Sequence, residues 1–496
     1  LTTPVKNQKM TNSLIKNKYH ILSLIWVFTI SALTVNKYAP EFLNGDVIIN
    51  SVMSLQKLTL YYWGQNRLLN VLPFIFTGIT EPSVNLFMVL FFTSTCFYLL
   101  LYYFSRIAAK VLGEAKSDEE ALKVFILISA LYVFIFKPFA IFEISLAHIE
   151  YSLPALLLIF ASLNMLQKPR RRNSFLLYIF SILMIFIATG LNPSILIPFI
   201  FVAIGSIAFR KRIGFSELSL LAISGVSFFT WNNISKKYGD MPYNVFEIRI
   251  LLAGLEKVLD GLFSVINLPA LLILILLFSI IKIFNLIYFK YPPNNNLFYF
   301  CSNSLIIFSV TWFLIFSASR WVEMSLFVWR YFIFAIFAML FMLSIYFLNF
   351  IEKIGKVKSW LLTGIIFTSV CMSLASPMIL FNEYKIFHRV NSYTEPGSSL
   401  YAGDYWVVWP SVLRDMMHGH EAYGLTFRGD ANKSSAGEYF RKRINQHGSV
   451  SVFCLNDKIE NCMNQVNSVV GPIRPISTIQ ISDNVHKIEF TSLIKP

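Results

Sequence analysis

Charged residues are scarce in this sequence: Asp, Glu, Lys and Arg make up 14% of 496 positions, and only 27 are acidic. A water-soluble enzyme of this length would need far more polar surface, so that class is excluded. Cysteine is also sparse, at five residues, so a disulfide-rich secreted scaffold is excluded as well. The chain has no phosphate-cradling glycine loop, no nucleophile elbow and no paired-Cys motif in its basic loops. Neither a nucleotide-driven pump nor a nucleotide-sugar enzyme is supported. No internal repeat and no low-complexity linker is visible, so the apolar part reads as one unit.

What is abundant is apolar residues: 56% of the chain is hydrophobic, with 48 Phe. Runs long enough to cross a hydrocarbon core recur through the first three quarters. They fall near 21–37, 84–105, 124–138, 151–166, 174–190, 193–209, 216–232, 262–284, 298–317, 328–350 and 360–382, eleven in all. The fold class expected is an all-α polytopic membrane protein over 1–382, followed by a small α/β domain over 383–496. The first segment follows a basic stretch, but no small-residue cleavage site follows "ILSLIWVFTISALTV", so it reads as a retained helix.

The net charge of +15 is unevenly spread. Lys6, Lys9, Lys16 and Lys18, the stretch from Arg106 to Lys123, "KPRRR" at 168–172, "RKR" at 210–212, and Lys353, Lys356 and Lys358 all fall on one side of the expected spans. Loops on the other side, and the tail, are nearly balanced. The basic excess is therefore a topology signal and implies no nucleic-acid partner. It puts the amino terminus in the cytoplasm and, after an odd number of spans, the tail outside. The expected location is a bacterial inner membrane with a periplasmic carboxy-terminal domain.

The outer face then carries two sizeable loops, 38–83 and 232–261, the shorter pieces 139–152 and 317–331, and the tail. In the tail "GSSLYAGDYW" suggests a strand leading to a turn, "WPSVLRDMM" and "AGEYFRKRINQ" helices, and "SVSVFCL" and "HKIEFTS" alternating strands. At about 110 residues it is large enough to hold its own core. The aromatic run with Asp404, Tyr405 and Trp406 has two readings: packing of the tail onto the membrane part, or a glycan-contacting surface. Cys96, Cys301 and Cys371 fall in spans as small apolar side chains, whereas Cys454 and Cys462 could form a disulfide if their compartment is oxidising.

One stretch of the first outer loop, "DVIINSVMSLQKLTLYYWGQNRLLN" at 46–70, is too polar to span a bilayer and too apolar for an idle loop. Val47, Ile48, Val52, Leu55, Leu58 and Tyr62 recur at helical spacing, predicting an amphipathic helix along the membrane surface. An isolated carboxylate, Asp46, stands at one end and Trp63, Gln65, Asn66 and Arg67 at the other. Asp46 could be a general base or, standing just before an apolar helix, a cap.

An acidic residue soon after helix one, followed by amphipathic helical sequence, resembles the membrane-embedded glycosyltransferases of the GT-C fold. The layout around it is similar to the phage-type, serotype-converting O-antigen glucosyltransferases. The resemblance covers most of the chain in layout, without a signature matched residue by residue. It implies transfer of a sugar such as glucose from undecaprenyl phosphate to a lipopolysaccharide O-antigen or related glycan, with membrane lipid as a further partner.

That chemistry needs a carboxylate to take the acceptor's proton, for which Asp46, Glu143 and Glu150 are candidates. It needs fixed positive charge at the leaving phosphate, for which Arg67, Lys57, Arg320 and Arg330 lie at external membrane ends. Helical spacing would put Arg320, Glu323 and Arg330 on one face. Trp63, Gln65, Asn66, Asp404, Tyr405 and Trp406 are candidate sugar or acceptor contacts. "EISLAHIEY" adds His148 between Glu143 and Glu150, a spacing loose for a metal site, so no cofactor and no metal ligand is assigned. Rival readings are an O-antigen polymerase or ligase, and a lipid-linked glycan flippase. A flippase would want charge at the bilayer midplane, whereas here charges gather at the outer ends, and a polymerase or ligase would lack the terminal domain.

Overall fold

The computed structural model describes residues 4–61, 63, 69–112, 118–166, 174–211, 213–236, 247–269, 272, 296–326, 328–390, 393, 398–426, 435–455, 458–471, 473–482 and 485–492. The helical part comprises α1 (Pro4–Phe42), α2 (Gly45–Leu55), α3 (Val71–Phe76), α4 (Pro82–Leu112), α5 (Asp118–Ile135), α6 (Pro138–Phe142), α7 (Ile149–Leu166) and α8 (Ser174–Leu191). It continues with α9 (Leu196–Arg210), α10 (Phe215–Lys236), α11 (Leu251–Val265), α12 (Asn296–Ser317), α13 (Arg320–Met324), α14 (Ile333–Ile354), α15 (Lys356–Leu374) and α16 (Lys385–His388). Among the described residues, seven helical segments are long and apolar enough to cross a membrane. Their outward faces carry large bare hydrophobics such as Ile307, Leu361 and Ile365, which water would not tolerate in such density and acyl chains would.

Ten of the eleven expected spans coincide with helices. The eighth, 262–284, begins on the last turn of α11, an amphipathic helix, and most of it lies outside the described residues.

The expected surface helix over 46–70 is corrected. Its helix ends at Leu55, and nearly every residue from Val47 to Ser54 is buried. Two hydroxyls on it, Ser51 and Ser54, each donate to Asn85 Oδ1 of α4 at 2.9 Å, and the opposite side packs on the tail. The apolar stripe read as a membrane-facing surface is thus a two-sided core contact.

The tail forms a five-stranded sheet of order β2-β1-β3-β5-β4 from β1 (Ser398–Gly403), β2 (Glu421–Thr426), β3 (Ser449–Leu455), β4 (Ile473–Ser482) and β5 (Val485–Ser492). Between the strands run α17 (Tyr405–Met417), α18 (Ser435–His447) and α19 (Ile459–Val470). Strands β2, β1 and β3 are parallel, and β3, β5 and β4 antiparallel. Sequence reading found β1, β3, β5, α17 and α18 and missed β2, β4 and α19. The disulfide Cys454–Cys462 ties β3 to α19, with Cα atoms 5.9 Å apart.

The sheet's two faces have different partners. Leu400, Ala402, Val450, Val452, Ile488 and Phe490 pack with Phe440, Ile444 and Val466 of α18 and α19 in a core belonging to the tail. Tyr401, Phe453 and Leu455 point the other way, against Val408, Trp409 and Val412 of α17, in a core continuous with the helical part. Right-handed crossovers explain the division, because the strand order reverses at β1 and so puts α17 on the face opposite α18 and α19. Half of the tail's core is its own, and half is shared.

Candidate active site

The first turn of α17 and the first turn of α2 meet at one end of the helical bundle. Asn44 caps α2, accepting from the Val47 amide at 3.3 Å, so the capping role open for Asp46 belongs to its neighbour. The Asp46 carboxylate is instead committed to tertiary partners: its Oδ1 accepts from the Tyr405 hydroxyl at 3.0 Å, and its Oδ2 faces Arg330 Nη1 at 3.4 Å. Tyr405 follows Asp404, which caps α17 by accepting from the Trp406 amide at 2.7 Å. These residues stand at the carboxyl end of β1, where the strand order reverses, the position at which open α/β sheets present groups to ligands.

A close approach makes this junction possible. A Cβ on Gly45 would sit 3.1 Å from Tyr405 Cε1 and 3.3 Å from Trp406 Cε3, so a larger residue would push both rings back from the start of α2 by a few tenths of an ångström. Trp63 packs on Trp409, ring centroids 5.6 Å apart, and Gln56 Nε2 donates to the Ala422 carbonyl at 2.6 Å. Lys57 pairs with Glu438 on α18. The segment after α1 and the tail are fastened at several points.

Beside Asp46 a second polar group is built on an irregular helix. Residues Glu143–Ala147 form a π-helical turn after α6, a feature common at functional positions, and it brings Glu143 and His148 together five residues apart. His148 Nε2 lies 2.9 Å from Glu143 Oε2, and its Nδ1 2.8 Å from Glu150 Oε1. Asn44 Nδ2 donates to the other oxygen of Glu143 at 3.0 Å. Burial disfavours a charged imidazole, but the two carboxylates outweigh it and push His148 up to about 10. The geometry requires the same state, because each ring nitrogen faces an acceptor and only imidazolium donates from both.

Asp46, His148, Glu150 and Arg330 line one cleft, open to solvent, of about 90 Å³. Asp46, Asn50, Asn70, His148, Glu150 and Arg330 supply its polar wall, and Leu69, Leu72 and Leu191 its apolar one. The charge of Arg330 is felt by Asp46, Glu143 and Glu150. Asn70 is 2% exposed; its Nδ2 donates to the Thr59 carbonyl at 3.2 Å, and its buried Oδ1 is without a partner among the described residues.

The structure brings together Asp46, Glu143, Glu150, Arg330 and Tyr405 of the residues singled out in the sequence. It does not bring in Lys57, spent on Glu438, or Arg320, which pairs with Glu323 at 2.6 Å on α13. The shared helix face expected for Arg320, Glu323 and Arg330 is corrected: the chain breaks after α13, with Leu326 at φ 57°, before Arg330 enters a short 3-10 turn. Trp63 is buried, a packing residue and no open sugar platform. Asp404 is exposed, and Trp406 is 42% exposed beside the junction. Gln65, Asn66 and Arg67 lie outside the described residues. Among the described residues, no group of three or more His, Cys, Asp or Glu is arranged to hold a metal ion. Sequence reading missed Asn44, Asn70 and the bridging role of His148, and the only signal was polar residues interrupting apolar runs.

No protein-family model matches the chain, and no curated protein does. Among solved structures the chain is similar to ArnT from Cupriavidus metallidurans, crystallised bound to undecaprenyl phosphate. The identity is 10%, the match covers 95% of this chain and 98% of that one, and the TM-score is 0.49. At that level no residue role is carried over.

Proposed function

We propose that this protein is a membrane glycosyltransferase that moves a sugar, in the first instance glucose, from a polyprenyl-phosphate donor to a lipopolysaccharide O-antigen or related surface glycan. The observation that carries the reading is one open cleft lined by a carboxylate, Asp46, and a guanidinium, Arg330, with a tail hydroxyl, Tyr405, bonded to that carboxylate. Glycosyl transfer from a lipid phosphate asks for a base at the attacking hydroxyl and positive charge at the leaving phosphate. Asp46 takes the base role and Arg330, with Arg67, the phosphate role. Tyr405 orients the carboxylate, and Trp406 offers an exposed ring to the acceptor.

The cleft sits at the end of the bundle away from the basic loops. The opposite end holds Arg106 with Asp118, and Lys123 and Lys356 with Glu119. With basic loops in the cytoplasm, the cleft and the tail face the periplasm of a bacterial inner membrane, where lipid-linked sugars and the growing glycan meet.

The test is incubation of the purified protein with defined polyprenyl-phosphate sugars and a lipopolysaccharide acceptor, with products read by mass spectrometry. A mass increase of one hexose on the acceptor is expected. Substrate-dependent transport of a lipid-linked glycan without transfer would replace this reading with that of a flippase.

A further inference from the structure

The transferase roles of Asp46 and Arg330 leave the buried bridge behind them unexplained. Burying Glu143 and His148, with Glu150 at the rim, is costly, and an apolar wall would hold α6 and α7 together at least as well. Among the described residues two carboxylates, Asp46 and Glu150, line the cleft with the cations His148 and Arg330, and Glu143 stands behind His148. Holding a phosphate calls for no second carboxylate beside the base Asp46. Glu150 needs an explanation that includes anions leaving as well as anions arriving.

Charge conservation along the reaction supplies one. The donor is a phosphodiester with one negative charge. The acceptor oxygen attacks the anomeric carbon, and the bond from that carbon to the phosphate oxygen breaks with its electron pair going to the phosphate. The acceptor proton goes to Asp46. The spent polyprenyl phosphate is a monoester carrying about −1.5 to −2. While Asp46 holds the proton, the added charge is offset within the cleft. Once that proton passes to water, the Asp46 carboxylate is restored and faces a ligand more negative than the one that entered.

We propose that the Glu143–His148–Glu150 bridge makes the cleft discriminate against the spent polyprenyl phosphate relative to the sugar-loaded donor, and so speeds product release. The inference rests on the transferase reading above. His148 sets the balance: its charge offsets one of the two carboxylates, which keeps repulsion low enough for the singly charged donor to enter. Glu150 lines the cleft and is the carboxylate of the bridge that the phosphate meets. Asn44, holding the far oxygen of Glu143, keeps that side chain turned to the imidazole.

The experiment compares the donor KM with the inhibition constant of added polyprenyl phosphate in wild type, Glu150→Gln, His148→Gln and the double variant. Glu150→Gln keeps an oxygen for His148 Nδ1 and removes one negative charge. It should lower the inhibition constant of the product by roughly tenfold and the donor KM by clearly less. His148→Gln should raise both, the product constant more. The double variant restores the wild-type charge count and should bring the ratio back towards wild type, which a purely structural bridge would not do. A ratio unmoved in Glu150→Gln, or moved the other way, overturns the proposal even if transfer is normal. Absence of transfer by wild type with any donor overturns the transferase reading itself.

Discussion

The hydroxyl of Tyr405 donates to Oδ1 of Asp46 at 3.0 Å, joining side chains 359 positions apart in the sequence. Through this bond the tail domain holds a side chain that lines the cleft. An acid placed only by its own helix would be free to turn; Asp46 is held between a phenol on one oxygen and a guanidinium on the other. Preorganisation of that kind is what a base at a membrane edge requires.

Asp46→Asn retains size and leaves the cap intact, because Asn44 makes it. Turnover in the transfer assay should fall by about a hundredfold or more, with the thermal midpoint near wild type. Near-normal turnover would shift the base to Glu150 or Glu143.

Removing the hydroxyl in Tyr405→Phe leaves the ring against Gly45 and should cost kcat severalfold with little change in fold. By contrast, Gly45→Val places methyl groups where Tyr405 and Trp406 lie, at 3.1 and 3.3 Å from the Cβ position. The tail should loosen, and limited proteolysis between residues 385 and 400 should become faster. Equal protease resistance in both variants would show that the junction is not tight.

Arg330→Ala removes a cation needed before and during bond breaking, so the donor KM should rise and kcat fall together. The same change in Arg320, whose partner is Glu323 outside the cleft, should leave both within about twofold. A larger loss from Arg320 than from Arg330 would move the phosphate site.

Stability should depend on pH through His148. Its folded value, about 10, is raised above the ordinary 6.5. The stabilisation from its carboxylate partners is therefore complete below about 6.5 and is lost as pH rises through about 10. Thermal midpoints measured from pH 6 to 10 should decline more steeply in wild type than in His148→Gln. Parallel curves would mean that the imidazole is not the charged bridge.

Topology is open to a direct check. A reporter active only in the periplasm should work when fused after residue 390 and fail within 168–172. The reverse pattern would put the cleft in the cytoplasm. A chain ending near residue 385 should lose transfer and also stability, since Trp63 and α2 lose the cover of α17.

Much of the fold could be read along the chain because hydrophobic length and alternation are local properties. Ten of the eleven apolar runs fell on helices, and period-two patterns found β1, β3 and β5. Strand β4 escaped because it is an exposed edge with bulges beside Ile476 and Ile481, which break the alternation. The segment after Asp46 was misjudged because a helical stripe says that a face is covered, and not whether lipid or protein covers it.

By itself, then, the sequence determined that the chain enters a membrane, which loops carry the basic charge, and that an acidic residue follows the first helix. Only the tertiary structure decided what Asp46 contacts. Its cap role passed to Asn44, Lys57 and Arg320 found partners elsewhere, and Arg330, His148, Glu150 and Tyr405 gathered around one cleft. Hydropathy is summed over neighbours in sequence, so a linear reading recovers it. Charge pairing depends on distances of a few ångströms between groups as much as 381 positions apart, and those are set by how the helices and the tail pack.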